Sequence, residues 1–121
     1  MKERRAFPRV KISRSVLYSK DIYPRLTVDT TLNLSMGESK IESYHSLTKG
    51  DGLDLTIGID PEAIKCRGKV IYVLQPETGK TQAGIQLQEL SEHDKHHLRQ
   101  YLFSIMEEEA VSSLSPEKTL H

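Results

Sequence analysis

The chain has 121 residues, and its 17 lysines and arginines balance its 17 aspartates and glutamates to a formal charge of zero. This length supports one domain with one core, and 36% hydrophobic residues without tryptophan make that core small. The single cysteine excludes an internal disulfide framework and a cysteine-rich zinc site, no apolar run reaches the length of a membrane span, and the charged N-terminus lacks the apolar core of a signal peptide, so a cytoplasmic protein without membrane insertion is expected.

The zero net charge hides an asymmetry. Lys2, Arg4, Arg5, Arg9, Lys11 and Arg14 are opposed only by Glu3 within the first fourteen residues, while Glu107, Glu108 and Glu109 form an acidic run. A basic arm on a neutral body suits a local anionic partner better than the coating of a nucleic acid polymer, although an ordinary solvated segment accounts for the charge alone. Phe7 precedes Pro8, which pushes its backbone toward extended conformations. An extended arm puts Arg5, Phe7 and Arg9 on one side and Arg4 on the other. Arg5 and Arg9 would then lie roughly 13 Å apart along the backbone, close enough for two long side chains to converge on one anion of nucleotide size.

Val10, Ile12, Val16 and Tyr18 alternate with polar residues and predict a half-buried strand. Asp21 to Pro24 makes a turn. Leu26, Val28, Leu32 and Leu34 predict a second strand with those four residues on its core face. Gly37 breaks it, and Glu38 to Tyr44 reads as a weak third strand around Ile41. Lys49-Gly50-Asp51-Gly52 is a turn. Leu53, Leu55, Ile57 and Ile59 give a fourth strand, closed by Pro61. Ile64, Cys66, Val70, Tyr72 and Leu74 share one parity in a long fifth strand, where Gly68 suggests a bulge or bend. After the loop Pro76-Glu77-Thr78-Gly79, Ala83, Ile85 and Leu87 form the sixth. Short strands joined by turns at this spacing indicate an antiparallel barrel or sandwich.

The period then changes. Ser91 is a suitable helix N-cap with Asp94 three residues on. Leu98, Tyr101, Leu102, Ile105 and Met106 make one apolar stripe that should pack on the barrel or plug its end. The helix is expected over 91–109, with 111–121 as a mobile tail.

No catalytic or metal set stands out. His93 and His97 have the spacing of two helical metal ligands, but no glutamate follows His93 and no third ligand is near in sequence, so surface histidines are expected. Gly79-Lys80-Thr81 looks like the end of a phosphate-binding loop, yet the required first glycine falls on Leu74 and no helix follows. Cys66 lies on an apolar parity as a small hydrophobe. The aspartates sit at turns and strand ends, where Asp serves the backbone. A nucleic-acid-binding barrel, which would present aromatics on an exposed face within a basic groove, trails as a third reading, because most of the seven phenylalanines and tyrosines lie on core parities and the basic residues gather at one end. The expectation is a protein that is not an enzyme and holds neither metal nor cofactor.

Arg5-Ala6-Phe7-Pro8-Arg9, preceded by Arg4, resembles the RxxxR motif that opens PilZ domains. Asn33-Leu34-Ser35 resembles the start of their second motif, [D/N]xSxxG. The likeness continues in Lys49-Gly50, in Gly84-Ile85-Gln86-Leu87, and in Leu90-Ser91 before the terminal helix, and it covers the chain to about Met106. The resemblance implies a six-stranded antiparallel β-barrel plus a C-terminal α-helix: a single domain over 1–110, with an arginine-rich arm at 1–9 and the barrel at 10–88. It implies a bacterial receptor for cyclic di-GMP that signals to a protein partner, with Arg4, Arg5, Arg9, Asn33, Ser35 and Gly37 forming the binding surface. The chemistry agrees. An arginine fork pairs with guanine O6 and N7 or with phosphate, and stacks on a purine; Asn33 can both donate and accept.

The last motif glycine falls at position 38, where this chain has Glu38. A side chain there would spoil a conformation or close approach that glycine permits, and its charge would oppose a dianion unless it points to water. Gly37 is then expected to take over the conformational role. The alternative expectation is a PilZ-like domain that has lost the nucleotide and works as a protein interaction module.

Overall fold

The structure is a computed structural model that describes residues 8–76 and 79–113. Seven strands precede one helix: β1 (Val10–Lys11), β2 (Ser15–Lys20), β3 (Tyr23–Leu34), β4 (Glu38–Ser43), β5 (Gly52–Ile57), β6 (Ile64–Leu74), β7 (Thr81–Gln88) and α1 (Glu92–Ser113). The sheet runs β3-β2-β5-β6-β7-β4 and closes through a β3–β4 ladder, with every pairing antiparallel. At Leu34, β4 occupies one edge of β3 and β1 the other, the edge that β2 takes further along. So β1 and β2 are one track with an interruption, and the expected six-stranded antiparallel barrel is what the chain forms. Thr31 bridges the interruption: its hydroxyl donates to the Ile12 carbonyl at 2.6 Å and accepts from the Arg14 N–H at 2.9 Å. Closure leaves fewer open edges than a sandwich would.

Inside the barrel lie Val16, Leu53, Leu55, Ile57, Ile64, Val70, Ala83 and Ile85, alternating with outward positions as the pleat requires. Gly68 makes no bulge; it pairs regularly with Leu53 and Leu87. A Cβ there would stand 2.6 Å from Leu55 and 2.7 Å from Ile85, so glycine makes room for those side chains in the interior. The irregularity on β6 falls instead between Val70 and Tyr72. It shifts parity, which is why Tyr72 is only half-buried and Leu74 is exposed rather than in the core.

β3 departs furthest from expectation. Leu26 and Val28 are 68% and 64% exposed, while Asp29 and Thr31 point inward. A register shift between Thr31 and Asn33 then returns Leu34 to the core. The inward face is polar because Tyr18 brings a hydroxyl into the barrel: it donates to Asp29 Oδ2 at 2.8 Å and lies 3.2 Å from Ser43 Oγ. A buried hydroxyl needs such partners. Burial, and then the Asp29 carboxylate, push the Tyr18 pKa far above its ordinary value.

The Ser91 hydroxyl accepts the Asp94 N–H at 3.0 Å, the expected cap. Asp94 does not close a capping box; its carboxylate accepts the Lys65 N–H at 3.1 Å and ties the helix to β6. Leu98 and Leu102 are buried, and Tyr101, Ile105 and Met106 pack partly against the core. The helix runs on to Ser113, beyond the expected end at Glu109, so the proposed tail begins within it; residues 114–121 lie outside the described residues.

Candidate functional site

The two motifs meet at one end of the barrel. β1 lies beside the C-terminal end of β3, with Lys11 opposite Asn33 and Val10 opposite Leu34. That pairing carries Arg9 to the rim where β3 turns into β4. The turn from Leu34 to Glu38 is held from within by Ser35. Its hydroxyl accepts the N–H groups of Gly37 and Glu38 at 3.2 and 3.1 Å, and its own N–H donates to the Glu38 carbonyl at 2.8 Å. Leu87 N–H donates to the Gly37 carbonyl at 2.9 Å and fastens the turn to β7. Ser35 is buried, so its hydroxyl belongs to the turn.

Asn33 is half-buried. Its Oδ1 accepts the Lys40 N–H at 3.1 Å, which spends the acceptor on the ladder and directs the amide NH2 away from that bond. Gly37 lies in the turn without a left-handed backbone; positive φ among the described residues falls at Gly50, Gly79 and Glu89. The conformational role expected of Gly37 is therefore not one this turn requires.

Glu38 neither points to water nor stands idle. Its carboxylate pairs with the Arg9 guanidinium, with the two side chains 33% and 22% exposed. The arginine of the first motif is thus held by the residue that replaces the glycine of the second. At partial exposure such a pair contributes little to stability, but it fixes where the guanidinium sits. Arg4 and Arg5 lie outside the described residues.

A groove of about 530 Å³ opens beside this turn, between Pro8 and Met36 on one side and α1 on the other. Its floor and walls include Leu87, Leu102, Phe103 and Met106, and Lys95 and Arg99 bring cations to its margin. Sequence reading passed over these two cations. They are four residues apart on the helix, a spacing that places them on one face, and that was the available signal.

The other chemical candidates have structural duties. His97 Nε2 lies 2.9 Å from the Glu62 carbonyl and His93 Nε2 lies 3.3 Å from the Glu62 carboxylate. They fasten the helix to the loop after β5, and among the described residues no group of three metal-type side chains forms. Burial pushes the Cys66 thiol up to about 11, which keeps it protonated at neutral pH and a poor nucleophile. Lys80 reaches Glu42 at 3.5 Å and lies 5.3 Å from the centre of the Tyr44 ring, and Gly79 adopts φ 87° at a hairpin tip rather than in a phosphate loop. No described helix is long and apolar enough to cross a membrane.

The PilZ domain family model matches residues 3–104. No curated protein matches the chain. Among solved structures, Bacillus subtilis inhibitor of motility (MotI/DgrA) is 19% identical with a TM-score of 0.74, over 85% of this chain and 51% of that one. The PilZ domain of Escherichia coli YcgR with c-di-GMP is 13% identical with a TM-score of 0.70, over 93% and 98%. The K. pneumonia MrkH–c-di-GMP complex is 13% identical with a TM-score of 0.79, over 92% and 56%. The chain thus spans about half the length of MotI and of MrkH, and nearly all of the separate YcgR domain.

Proposed function

The chain belongs to the PilZ domain family, and from that premise we propose that it is a cyclic di-GMP receptor whose ligand takes the place of Glu38 on Arg9. The observation that carries this reading is the Arg9–Glu38 pair at the rim shared by the two motifs. A guanidinium already set to receive a carboxylate is equally suited to a phosphate or to the O6 and N7 edge of guanine. Two structural neighbours, YcgR and MrkH, hold c-di-GMP in their structures, and that ligand supplies both groups.

The parts divide the work. Arg5 and Arg9 grip the dinucleotide, and Arg4 adds a third cation from the same arm. Asn33 offers its amide NH2, since its oxygen is committed to Lys40. Ser35 acts by holding the Leu34–Glu38 turn in shape, and Gly37 keeps that turn low on its solvent side. The groove lined by Met36 and Phe103 gives a guanine face an apolar seat, with Arg99 at its margin. Release of Glu38 and movement of the arm change the surface beside α1, which a partner protein reads.

Glu38 weakens the ligand twice: it must be displaced, and it stays nearby as a like charge. At a few ångströms and an effective dielectric of about 20, such repulsion is on the order of a few kcal/mol. That same residue favours the second reading, a domain without nucleotide that acts through protein contacts, because Glu38 already satisfies Arg9.

Isothermal titration with cyclic di-GMP separates the two. The receptor reading expects saturable binding by the natural chain, lost in Arg9→Ala and tightened in Glu38→Gly. Absence of binding by both the natural chain and Glu38→Gly makes the chain an interaction module.

A further inference from the structure

The end of the barrel away from Arg9 and the Asn33–Glu38 turn carries a second feature, outside the proposed nucleotide site. The β3–β4 ladder begins only at Thr30 and Glu42. The N-terminal half of β3 therefore has a strand on one side alone, and even there the register with β2 slips between the pairs Tyr18–Thr27 and Lys20–Tyr23. Where β3 and the segment after β4 part, a cleft of about 440 Å³ opens between Tyr23–Thr27 and His45–Ser46, with Lys20 in its wall. Ile22, Tyr23, Leu26, Val28 and Tyr44 are all exposed around it. Large apolar side chains grouped in this way on a small domain mark a contact surface more often than chance exposure does.

The charges say what fits. No carboxylate lines the cleft, whereas Lys20, Arg25 and His45 do. The acidic groups nearby already have partners: Asp51 with Lys20, Glu42 with Lys80, Asp21 and Asp54 with Arg67, and Asp29 turned inward to Tyr18. The Arg25 guanidinium has no hydrogen-bond or ion-pair partner among the described residues. Charge disfavours a second copy of the chain, because a two-fold contact here would bring two sets of the same cations, Arg25 and His45, to one interface without carboxylates of the cleft to meet them.

We propose that this cleft is a docking site for an extended acidic segment of another protein, which lies along the open edge of β3 from Tyr23 to Asp29, places apolar side chains against Leu26 and Val28, and gives its carboxylates to Arg25 and His45. Addition of a strand to an open edge supplies affinity through main-chain bonds, and the flanking side chains supply selectivity. The Asn33–Glu38 turn lies at the opposite end of the same strand, so docking does not require the nucleotide, and the proposal stands apart from the receptor reading.

The test is a titration of the isotope-labelled full chain with a capped synthetic peptide of alternating glutamate and valine, followed by amide chemical shifts, beside the same peptide with lysine for glutamate. The proposal expects saturable shifts confined to Tyr23–Asp29 and His45–Ser46 with the acidic peptide and none with the basic one. Binding should weaken roughly tenfold in Arg25→Glu, the scale of a lost charged hydrogen bond, and stay unchanged in Arg9→Ala. Equal thermal midpoints for Arg25→Glu and the natural chain keep the comparison fair. No shifts at millimolar acidic peptide overturn the proposal, as do shifts elsewhere or equal binding of the basic peptide. Concentration-dependent dimerisation through the same amides also overturns it, because a second copy would then be the occupant.

Discussion

At one end of the barrel Arg9 pairs with Glu38, and the Asn33–Glu38 turn faces α1 across a groove; at the other, Tyr23, Leu26, Val28 and Tyr44 meet solvent around an unzipped seam. Both ends are reached by β3, which belongs to the core at Leu34 and leaves it at Leu26. The difference comes from what each end has to cover it. The motif end receives a 22-residue helix whose Leu98 and Leu102 are buried against the strands. Among the described residues the far end has no helix over it and is covered by the Asp21–Ile22 turn and the 44–51 segment, from which Leu47 is buried, so several apolar residues there stay outside and the polar Tyr18–Asp29–Ser43 group fills the interior beneath them. One barrel thus presents a charged, covered rim and an apolar, open one.

The largest effect should come from uncovering the motif end. Leu102→Ala removes a buried anchor of α1 and should cost about 2–5 kcal/mol, read from the denaturant midpoint. A neutral result would detach the helix from the barrel. Next is the polar interior at the far end. Tyr18→Phe leaves Asp29 without its donor and should cost about 1–3 kcal/mol.

Tyr18 also gives a pH signature. Its folded pKa lies above the ordinary 10.0, so above pH 10 the unfolded chain loses that proton first and stability falls as pH rises. The contribution is complete below that value. Tyr18→Phe should flatten this alkaline decline in a series of thermal midpoints; an unchanged slope would mean other groups produce it.

Smaller still is the exchange at Glu38. Glu38→Gln keeps the size of the side chain and removes its charge, so cyclic di-GMP affinity should rise roughly tenfold, about 1.4 kcal/mol, with little change in the stability of the free protein. Equal affinities for the two proteins would mean that Glu38 does not compete for Arg9. Smallest is Leu26→Ser, which should alter stability by no more than about 0.5 kcal/mol. A loss of several times that amount would place Leu26 in the core, as the alternation alone suggests, and would erase the contrast between the two ends.

The strands and the helix were legible because their periods are local. Leu53, Leu55 and Ile57 alternate, and Leu98 and Leu102 repeat at the helical spacing, in agreement with their burial. The spacing of the two motifs was legible as well, and the structure brings Arg9 beside the turn that follows Asn33. What misled were positions where the register slips. Leu26, Val28 and Leu74 carry the right residue types on the right parity, but irregularities after Thr31 and after Val70 put them outside. A slip of one residue reverses every side chain beyond it, and nothing in the local composition records it.

Taken by itself, then, the sequence determined the number and order of the strands, the cap and apolar stripe of the helix, and a family whose RxxxR and Asn33-x-Ser35 elements stand in the proper order. Those features depend on residues within a few positions of one another. The tertiary structure decided that Glu38 faces Arg9, that Ser35 serves its own turn, that Lys95 and Arg99 border the groove, and that β3 opens a cleft between Tyr23 and His45. Each of these is a meeting of side chains far apart in the chain, and only closure of the barrel sets which of them face one another.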